Sequence, residues 1–337
     1  MSNADSVFHV GIVGTGGISN AHIGAAKSSG GRVSVVAVAD PVKENRDKAA
    51  EQTGATAYES LDAMLKAAKL GEITLDGVVI CTPPSVRLKL VEAALKAKVP
   101  VLMEKPIAHT LADAKKLASL AVKHKKVPSF VAYCHRFAEP VNVMKDLVAK
   151  GKIGNLVRFE NAFACDLPGH ESKWFSEPKK AGGGAALDMG SHSLDLLRYF
   201  VGDTKILGSL FTFKWKKRTE TAGTMLLRSL KKQNANTPAG VAGVILSGWA
   251  ESSRFTLALV GDKGTLFYDY EKPTELVFKD LVGKAEVHDV TNHDTRFQHQ
   301  LVAFANAIQK KAKSQLATFA DGLAAEVLND KAAKMGK

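Results

Sequence analysis

FHVGIVGTGGIS, residues 8–19, sets the class of the N-terminal half of this chain. A β-rich apolar run leads directly into a glycine-rich turn, and helix-forming residues follow from Ala21. Between a strand and a helix, Gly14 permits a tight turn and Gly16 lets the main chain approach a pyrophosphate, which the helix N-terminus then favours. Ser19 replaces the usual third glycine and is small enough for close helix–strand packing. The stretch predicts a dinucleotide-binding turn.

Asp40 is the residue that bears on the choice of cofactor. It follows the next β-rich run, 33–39, where a carboxylate accepts hydrogen bonds from the adenosine ribose hydroxyls and repels a 2′-phosphate. A bare glycine turn is a weak signal, but together with Asp40 it predicts that the chain binds NAD. Arg46, a few residues further on, leaves NADP open.

Apolar runs and helical segments then alternate up to residue 133. The run 77–81 is wholly apolar, which is typical of a strand buried on both faces of a parallel sheet. The pattern predicts an α/β domain with a doubly wound parallel sheet, whose ligands lie outside the carboxyl ends of its strands. Thr82 and Lys105 follow two such strands. Lys105 is either a solvated surface lysine or a positioned group, which would serve as a substrate anchor or in proton transfer. Pro106 stiffens the turn and favours a positioned role.

The second half has a different pattern. Strand-like runs follow one another without long intervening helices, which predicts an antiparallel sheet. At 337 residues the chain is expected to form two domains, 1–135 and 136–337, with the last helices able to pack back on the first. Segment 218–239 is predicted to be an inserted loop between strands of this sheet, and no role is assigned to it.

GGGAALDMGSHSLD, residues 182–195, carries the most unusual group of ionisable side chains. Asp188, His192 and Asp195 are spaced so that a helix places all three on one face, among neighbours that favour burial. They form either a buried hydrogen-bonded cluster that only supports the structure or an acid/base site. This stretch alone leaves both interpretations open.

Composition and charge exclude several other classes of protein. The net charge is +12, but the lysines are scattered, which favours a solvated surface over nucleic-acid binding. The three cysteines are widely spaced without a CxxC pair, so we expect no metal site, no disulfide framework and a reducing compartment. We find neither a secretory signal nor an apolar run long enough to span a membrane, and expect a cytoplasmic protein.

These features together resemble the glucose–fructose oxidoreductase / inositol dehydrogenase / rhizopine-catabolism family of NAD(P)-dependent oxidoreductases. The resemblance covers nearly the whole chain. It depends on the order and spacing of the glycine turn, Asp40, Thr82-Pro83-Pro84, Glu104-Lys105-Pro106, Arg136-Phe137, Gly151-Lys152-Ile153-Gly154, Trp174, the 182–195 stretch and Gly261-Asp262-Lys263-Gly264-Thr265.

The resemblance implies an N-terminal Rossmann domain and a C-terminal α/β domain whose open antiparallel sheet commonly mediates oligomer contacts, as a dimer or tetramer. It also implies that Lys105, Asp188 and His192 line the substrate pocket. The histidine is commonly the acid/base, although some branches use a tyrosine. Arg87 departs from the pattern, because the family usually has a histidine there, and we expect it to alter nicotinamide or substrate contacts.

The expected reaction is hydride transfer between nicotinamide and a carbinol or carbonyl carbon of a sugar, inositol or related polyol. His192 would take the hydroxyl proton, and Asp188 would orient the imidazole or bind a neighbouring hydroxyl. Lys105 would hydrogen-bond the reacting or adjacent oxygen and, being cationic, favour the developing alkoxide. In that setting Asp195 is expected to be structural. Two other functions stay open: a glycosidase that retains NAD and oxidises its substrate transiently, and a non-catalytic sugar- or nucleotide-binding regulator.

Further residues complete the predicted site. Trp174 offers a flat surface for a sugar ring or is simply packed in the core. The predicted cofactor contacts are Gly14, Thr15, Gly16, Gly17, Ile18, Asp40, Arg46, Thr82, Pro83, Glu104, Lys105 and Arg136.

Overall fold

A computed structural model describes residues 6–336. The strands are β1 Phe8–Val13, β2 Val33–Ala39, β3 Thr56–Tyr58, β4 Gly77–Ile80, β5 Val101–Met103, β6 Ser129–Val131, β7 Leu156–Asp166, β8 Thr204–Thr212, β9 Ala222–Ser229, β10 Ala242–Gly248, β11 Ala250–Gly261, β12 Gly264–Asp269, β13 Glu275–Asp280, β14 Ala285–Asp289 and β15 Ala317–Thr318. The helices are α1 Ser19–Lys27, α2 Lys43–Thr53, α3 Leu61–Leu70, α4 Arg87–Lys96, α5 Leu111–Lys123, α6 Glu139–Ala149, α7 Pro178–Ala181, α8 Ala185–Val201, α9 Arg296–Gln309 and α10 Phe319–Met335. Within 6–336, no helix has both the length and the apolar character needed to cross a membrane.

The described chain divides into two compact units. The N-terminal unit runs to Cys134 and also includes Thr295–Leu323, whereas the C-terminal unit comprises His135–Asp294 and the segment from Ala324. This division lies next to the predicted boundary at 135. The predicted second domain, 136–337, is interrupted where 295–323 joins the N-terminal unit.

The N-terminal unit is built on a seven-stranded sheet. Its strand order is β15-β6-β5-β4-β1-β2-β3, and every pair is parallel except β15 with β6. All four residues of β4 are buried, as the apolar run predicted. The predicted Rossmann class is confirmed. The carboxyl ends of β1, β2, β4 and β5 lie at one edge, where the turns described below begin.

Helix α9 supplies part of the core of this unit. Phe304 is fully buried and its ring meets that of Phe8 edge-on, with centroids 5.5 Å apart. A side chain at Gly77 would place its Cβ 3.0 Å from the Phe304 ring, so this close approach depends on glycine. The segment Thr295–Leu323 is therefore packed into the N-terminal unit through the large aromatic side chain of Phe304.

The C-terminal unit has an eight-stranded sheet, in the order β14-β13-β12-β11-β7-β10-β9-β8. All pairs are antiparallel except β7 with β10, so the predicted antiparallel sheet is confirmed as mostly antiparallel. The prediction of an inserted loop over 218–239 is wrong. Strand β9 lies within it and pairs with both β8 and β10.

Helix α8 covers one face of this sheet. A Cβ at Gly190 would lie 3.0 Å from Ser247 Oγ, and one at Gly243 would lie 3.0 Å from Leu197 Cδ2, so glycines on helix and strand allow the close contact. The opposite face exposes apolar side chains. Strand register places Leu226 beside Val244, and it places Phe267 beside Val277 and Val277 beside Val287. Large exposed members are Leu210, Leu226, Phe267 and Val287.

Glu326 is a buried carboxyl on the part of α10 that belongs to the C-terminal unit. It is 6% exposed, and we find no hydrogen-bond or ion-pair partner for it among residues 6–336. Burial, and then the charge of Asp330 one turn later, raise its pKa from 4.5 to about 8. An acid with a raised pKa holds its proton longer in the folded protein than in the unfolded chain. Its contribution to stability is therefore present at low pH and is lost as the pH rises through about 8.

Replacing Glu326 with Gln is expected to remove this loss. The variant should exceed the wild type in free energy of unfolding by on the order of 3 kcal/mol at pH 8, with little difference near pH 4. Urea unfolding at a series of pH values measures the gap. The exposed Glu275→Gln is the control, and a gap that is the same at all pH values would contradict the assignment.

Candidate functional site

The turn after β1 has the geometry of a nucleotide-binding loop. Gly14 has φ +84°, and a Cβ there would lie 2.8 Å from Thr82 Cγ2 and 2.9 Å from Thr82 N. Only glycine fits that position. At Gly16 and Gly17 no atom lies within 4 Å of the corresponding Cβ position, so the main chain faces open space. The turn is thus packed on one side and open on the other, where a ligand can approach.

The surroundings of this turn fit a dinucleotide. The hydroxyl oxygens of Thr15 and Thr82 are buried, and neither has a hydrogen-bond partner in the described part of the chain. A buried hydroxyl without a hydrogen-bond partner costs free energy, and a bound ligand can supply the missing hydrogen bond. The adjoining pocket is lined by Thr15, Gly16, Gly17, Asn20, Asn45, Lys48, Ala49 and Gln52.

Asp40 connects the glycine turn to the segment after β2. Its Oδ2 accepts a hydrogen bond of 2.8 Å from Thr15 N, and its Oδ1 accepts one of 2.8 Å from Val42 N. Only 8% of Asp40 is exposed. The carboxylate therefore holds the loop in shape. The predicted ribose contact stays a prediction, and each oxygen retains a second lone pair for it.

Arg46 lies beside Asp40 and is held by protein groups. Its Nη1 donates to the carbonyl oxygens of Asp40 and Pro41 at 3.3 Å each, and its Nη2 is 3.5 Å from Glu59 Oε1. The guanidinium supports the segment after β2 in this conformation. Its predicted cofactor contact stays a prediction.

Glu104 and Lys105 follow β5. Glu104 is 3% exposed, and its Oε1 hydrogen-bonds His22 Nε2 at 2.8 Å while its Oε2 accepts from Lys105 N at 3.1 Å. The carboxylate thus fixes the main chain of Lys105, whose side chain is half-buried. Sequence reasoning missed His22, although a polar residue on the buried face of α1 was a usable signal.

The start of α8 depends on its glycines and on a carboxylate. Gly184 N donates to Glu220 Oε1 at 2.6 Å, and a Cβ at Gly184 would lie only 1.9 Å from the Glu220 carbonyl oxygen. Burial raises the pKa of Glu220, while hydrogen bonds from the first N–H groups of the helix oppose that shift. Glu220 therefore caps α8. By fixing the start of the helix, it also fixes the positions of Asp188 and His192 on it.

Asp188 and His192 lie one turn apart on α8, and both are half-buried. Asp188 Oδ2 accepts a hydrogen bond of 3.3 Å from the indole N–H of Trp249, a side chain that is 1% exposed. This buried donor orients the carboxylate. Trp249 was missed because it lies between β10 and β11, far from Asp188 in sequence.

An aromatic group surrounds His192. Its ring meets that of His135 at 4.7 Å and that of Phe163 at 6.4 Å between centroids. His135 Nδ1 lies 3.0 Å from the hydroxyl oxygen of Tyr270. A titratable imidazole is therefore flanked by a second imidazole that contacts a phenol. Tyr270 follows β12, and no local pattern marked it.

Asp195 and Arg136 form a separate, buried pair. Arg136 Nε donates to Asp195 Oδ2 at 2.8 Å and Nη2 donates to Oδ1 at 2.6 Å, with exposed fractions of 7% and 2%. This bidentate contact gives Asp195 the structural role that was expected. It also gives Arg136 a protein partner, while its predicted cofactor contact stays a prediction.

Trp174 belongs to a stack of rings. It lies 3.9 Å from Phe175, which lies 5.1 Å from His170. Burial, and then the charge of Lys173, lower the pKa of His170, while Asp188 opposes them. Trp174 is half-buried, so one part packs and another part is accessible. Its predicted contact with a sugar ring stays a prediction.

The fold and these features define a class: a Rossmann unit with a nucleotide-binding turn, together with a second, mostly antiparallel unit. A model of the oxidoreductase family with an NAD-binding Rossmann fold matches residues 8–133, and a GFO/IDH/MocA C-terminal domain model matches residues 141–267. The two matches together cover most of the chain, which therefore belongs to the GFO/IDH/MocA family. The predicted family and its cofactor class are confirmed.

Relatives in sequence agree with this assignment, and a solved structure shares the fold. Rhizopine catabolism protein MocA of Rhizobium meliloti is 33% identical over 195 residues, which are 58% of this chain and 57% of that protein. Levoglucosan dehydrogenase of Pseudarthrobacter phenanthrenivorans is 25% identical over 219 residues, 58% of this chain and 56% of that protein. The matches thus span little more than half of these relatives. A levoglucosan dehydrogenase structure in complex with NADH and levoglucosan shares the fold, with TM-score 0.85, 19% identity, and coverage of 98% and 97%.

Proposed function

We propose that this protein is an NAD(P)-dependent oxidoreductase that transfers a hydride between nicotinamide and a carbinol or carbonyl carbon of a sugar, inositol or related polyol. The observation that carries the proposal is the turn after β1. Gly14 packs against Thr82, and the main chain at Gly16 and Gly17 is open. When bound, the nicotinamide supplies the hydride chemistry, and the protein contributes binding, orientation and proton management.

The turns after the strands are proposed to hold the cofactor. Thr15 and Thr82 offer hydroxyls that lack partners in the described chain, and Asp40 keeps the glycine turn in place. Asp40 is proposed to contact the ribose, which favours NAD over NADP. Contacts from Ile18, Pro83 and the Glu104 main chain are proposed from their places in the same turns.

His192 is proposed as the acid/base. An imidazole titrates near neutral pH, so it can take the hydroxyl proton as the hydride leaves. Asp188, held by the Trp249 indole, is proposed to orient the imidazole or bind a neighbouring hydroxyl. Lys105, whose main chain is held by Glu104, is proposed to favour the developing alkoxide with its positive charge. Trp174 is proposed as a sugar-facing surface.

NADH absorbance across a panel of sugars, inositols and acidic sugars, run in both directions, tests the proposal. We expect turnover of at least one class, with net formation or consumption of NAD(P)H. Glycoside cleavage without net NADH would replace the proposal by the NAD-retaining glycosidase. Cofactor binding without turnover of any kind would favour the regulator, and absence of cofactor binding would reject the proposal.

Replacing Asp40 with Ser is expected to weaken NADH binding by about tenfold and to shift the preference towards NADPH. The carboxylate that would repel a 2′-phosphate is lost, and so is an acceptor for Thr15 N. Fluorescence titration with both reduced cofactors gives the ratio. A wild type that already prefers NADPH would show the ribose argument to be wrong.

Asp76→Ser is the matched control for that titration. Asp76 also accepts a main-chain bond, 2.7 Å from His9 N, but it precedes β4 and so lies at the amino edge of the sheet. Asp76→Ser should leave the affinities for NADH and NADPH unchanged. A loss of affinity similar to that of Asp40→Ser would mean that loosening any turn of the sheet weakens cofactor binding.

The exposed face of the eight-stranded sheet is proposed to form a homo-oligomer, as a dimer or tetramer. Leu210 is 71% exposed, Val287 55% and Leu226 50%, on the face opposite α8. A broad exposed apolar surface of this kind is typical of a protein interface. Sedimentation velocity at several concentrations measures the mass in solution, and a monomer throughout would reject the proposal.

The location of the protein is proposed from its cysteines. The three free cysteines favour a reducing, cytoplasmic compartment.

A further inference from the structure

Arg87 occupies an unusual place for an arginine that begins a helix. Arg87 is 3% exposed, and its guanidinium contacts two turns. The first turn is Thr82–Pro84, after β4, and the second is Glu104–Pro106, after β5. Its Nε donates to the Thr82 carbonyl oxygen at 2.9 Å. Its Nη1 donates to the carbonyl oxygens of both Glu104 and Pro106. One side chain thus bonds three main-chain oxygens in two separate turns.

The chemistry of these bonds requires a guanidinium. Its donors are fixed in one plane at set angles, so Nε and Nη1 reach different segments at once, whereas an ammonium is a single point of charge. Hydrogen bonds from a charged donor are stronger than neutral ones. Buried carbonyls deprived of them would be left unpaired, which is costly. Arg87 is therefore a cross-link between the first and second turns.

A second contact fixes the second turn from its other side. The Glu104 carboxylate accepts from Lys105 N at 3.1 Å and from His22 Nε2 at 2.8 Å. The main chain around Lys105 is consequently held through the carbonyl before it, its own N–H and the carbonyl after it. The half-buried Lys105 side chain extends from a fixed base.

We infer that Arg87 is a positioning residue, which sets Thr82 and Lys105 relative to each other for cofactor and substrate. The inference rests on the proposed function. It replaces the expectation that Arg87 itself alters nicotinamide or substrate contacts, because the guanidinium is buried and engaged with protein carbonyls. Arg87 acts through the two turns.

Arg87→Met tests this inference, with Arg87→Lys as a second variant that keeps the charge. We expect Arg87→Met to weaken NADH binding by about tenfold, since the Thr82 hydroxyl and Lys105 would no longer be held in a fixed position relative to each other. Arg87→Lys should recover only part of the affinity. The rate at which sulfo-NHS-acetate acetylates Lys105, followed by peptide mass mapping, should change severalfold in both variants.

Arg32→Met is the matched control. Arg32 also bonds three acceptors, Ser6 O at 2.6 Å, Asn306 Oδ1 at 3.1 Å and Gln309 Oε1 at 2.5 Å, but it precedes β2 at the amino edge of the sheet. Arg32→Met should lower thermal stability, while the NADH affinity and the rate of Lys105 acetylation stay as in the wild type.

The outcomes separate the inference from the proposed function. NADH affinity and Lys105 acetylation in Arg87→Met that equal those of Arg32→Met would overturn the inference. If Arg87→Met does not fold, Arg87→Lys decides by the same two measurements. A wild type that does not bind NADH would reject the proposed function, and the acetylation rates would still test whether Arg87 positions Lys105.

Discussion

His192→Gln is expected to lower kcat by about a hundredfold or more, with NADH affinity nearly unchanged. Glutamine has a similar length and can hydrogen-bond, but its amide cannot take up a proton at working pH. Only the proton transfer is removed, so the loss should appear in kcat rather than in cofactor binding. A substrate identified from the sugar panel provides the assay, and fluorescence titration provides the NADH affinity.

A neighbouring histidine makes the interpretation stricter. His135 lies 4.7 Å from His192 between ring centroids, so it is the alternative acid/base in the same unit. Loss of activity in His135→Gln with full activity in His192→Gln would transfer the role to His135. His288→Gln, on the edge strand β14, controls for the removal of a histidine and should retain wild-type kcat.

The N-terminal unit could be predicted well because its signals are local. Strand, glycine turn, helix and Asp40 occur within a short stretch, and each residue type restricts the backbone or the ligand in a known way. The tie between Asp40 and Thr15 adds a structural role that the pattern did not contain. The proposed ribose contact and the observed support of the loop involve the same carboxylate, and the second becomes visible only in the folded chain.

The site on α8 could be predicted in part. Helical spacing placed Asp188 and His192 one turn apart, but their partners are remote in sequence. Trp249 reaches Asp188 across a separation of 61 residues, and Arg136 reaches Asp195 across 59. No periodicity within a segment encodes such pairs, since they arise only when segments that are far apart in the sequence pack together.

The segment 218–239 shows why a strand was missed. In β9, Met225 and Leu227 point inward, while Leu226 and Arg228 are exposed. The alternation is short and lies between polar turn residues, so the polar composition concealed it. The parallel pairing of β7 with β10 was also beyond local reasoning, because register and direction depend on residues far apart in the chain.

Replacing Asp195 with Ala is expected to lower the free energy of unfolding by about 3–5 kcal/mol, because it leaves the Arg136 guanidinium buried without its carboxylate. All three tryptophans lie in the C-terminal unit, so urea unfolding followed by tryptophan fluorescence reports on that unit. The matched control is Asp203→Ala, which removes an exposed partner 3.0 Å from Arg198 near the end of the same helix. That change should cost less than about 1 kcal/mol.

A double variant separates the loss of the pair from the burial of one charge. Arg136→Met with Asp195→Leu removes both charges and keeps apolar volume, so it should be more stable than Asp195→Ala alone. If the double variant were as unstable as the single one, the bidentate geometry itself would be the source of stability. If Asp195→Ala cost no more than Asp203→Ala, the pair would not support α8, and Asp195 would again be a candidate for the acid/base face.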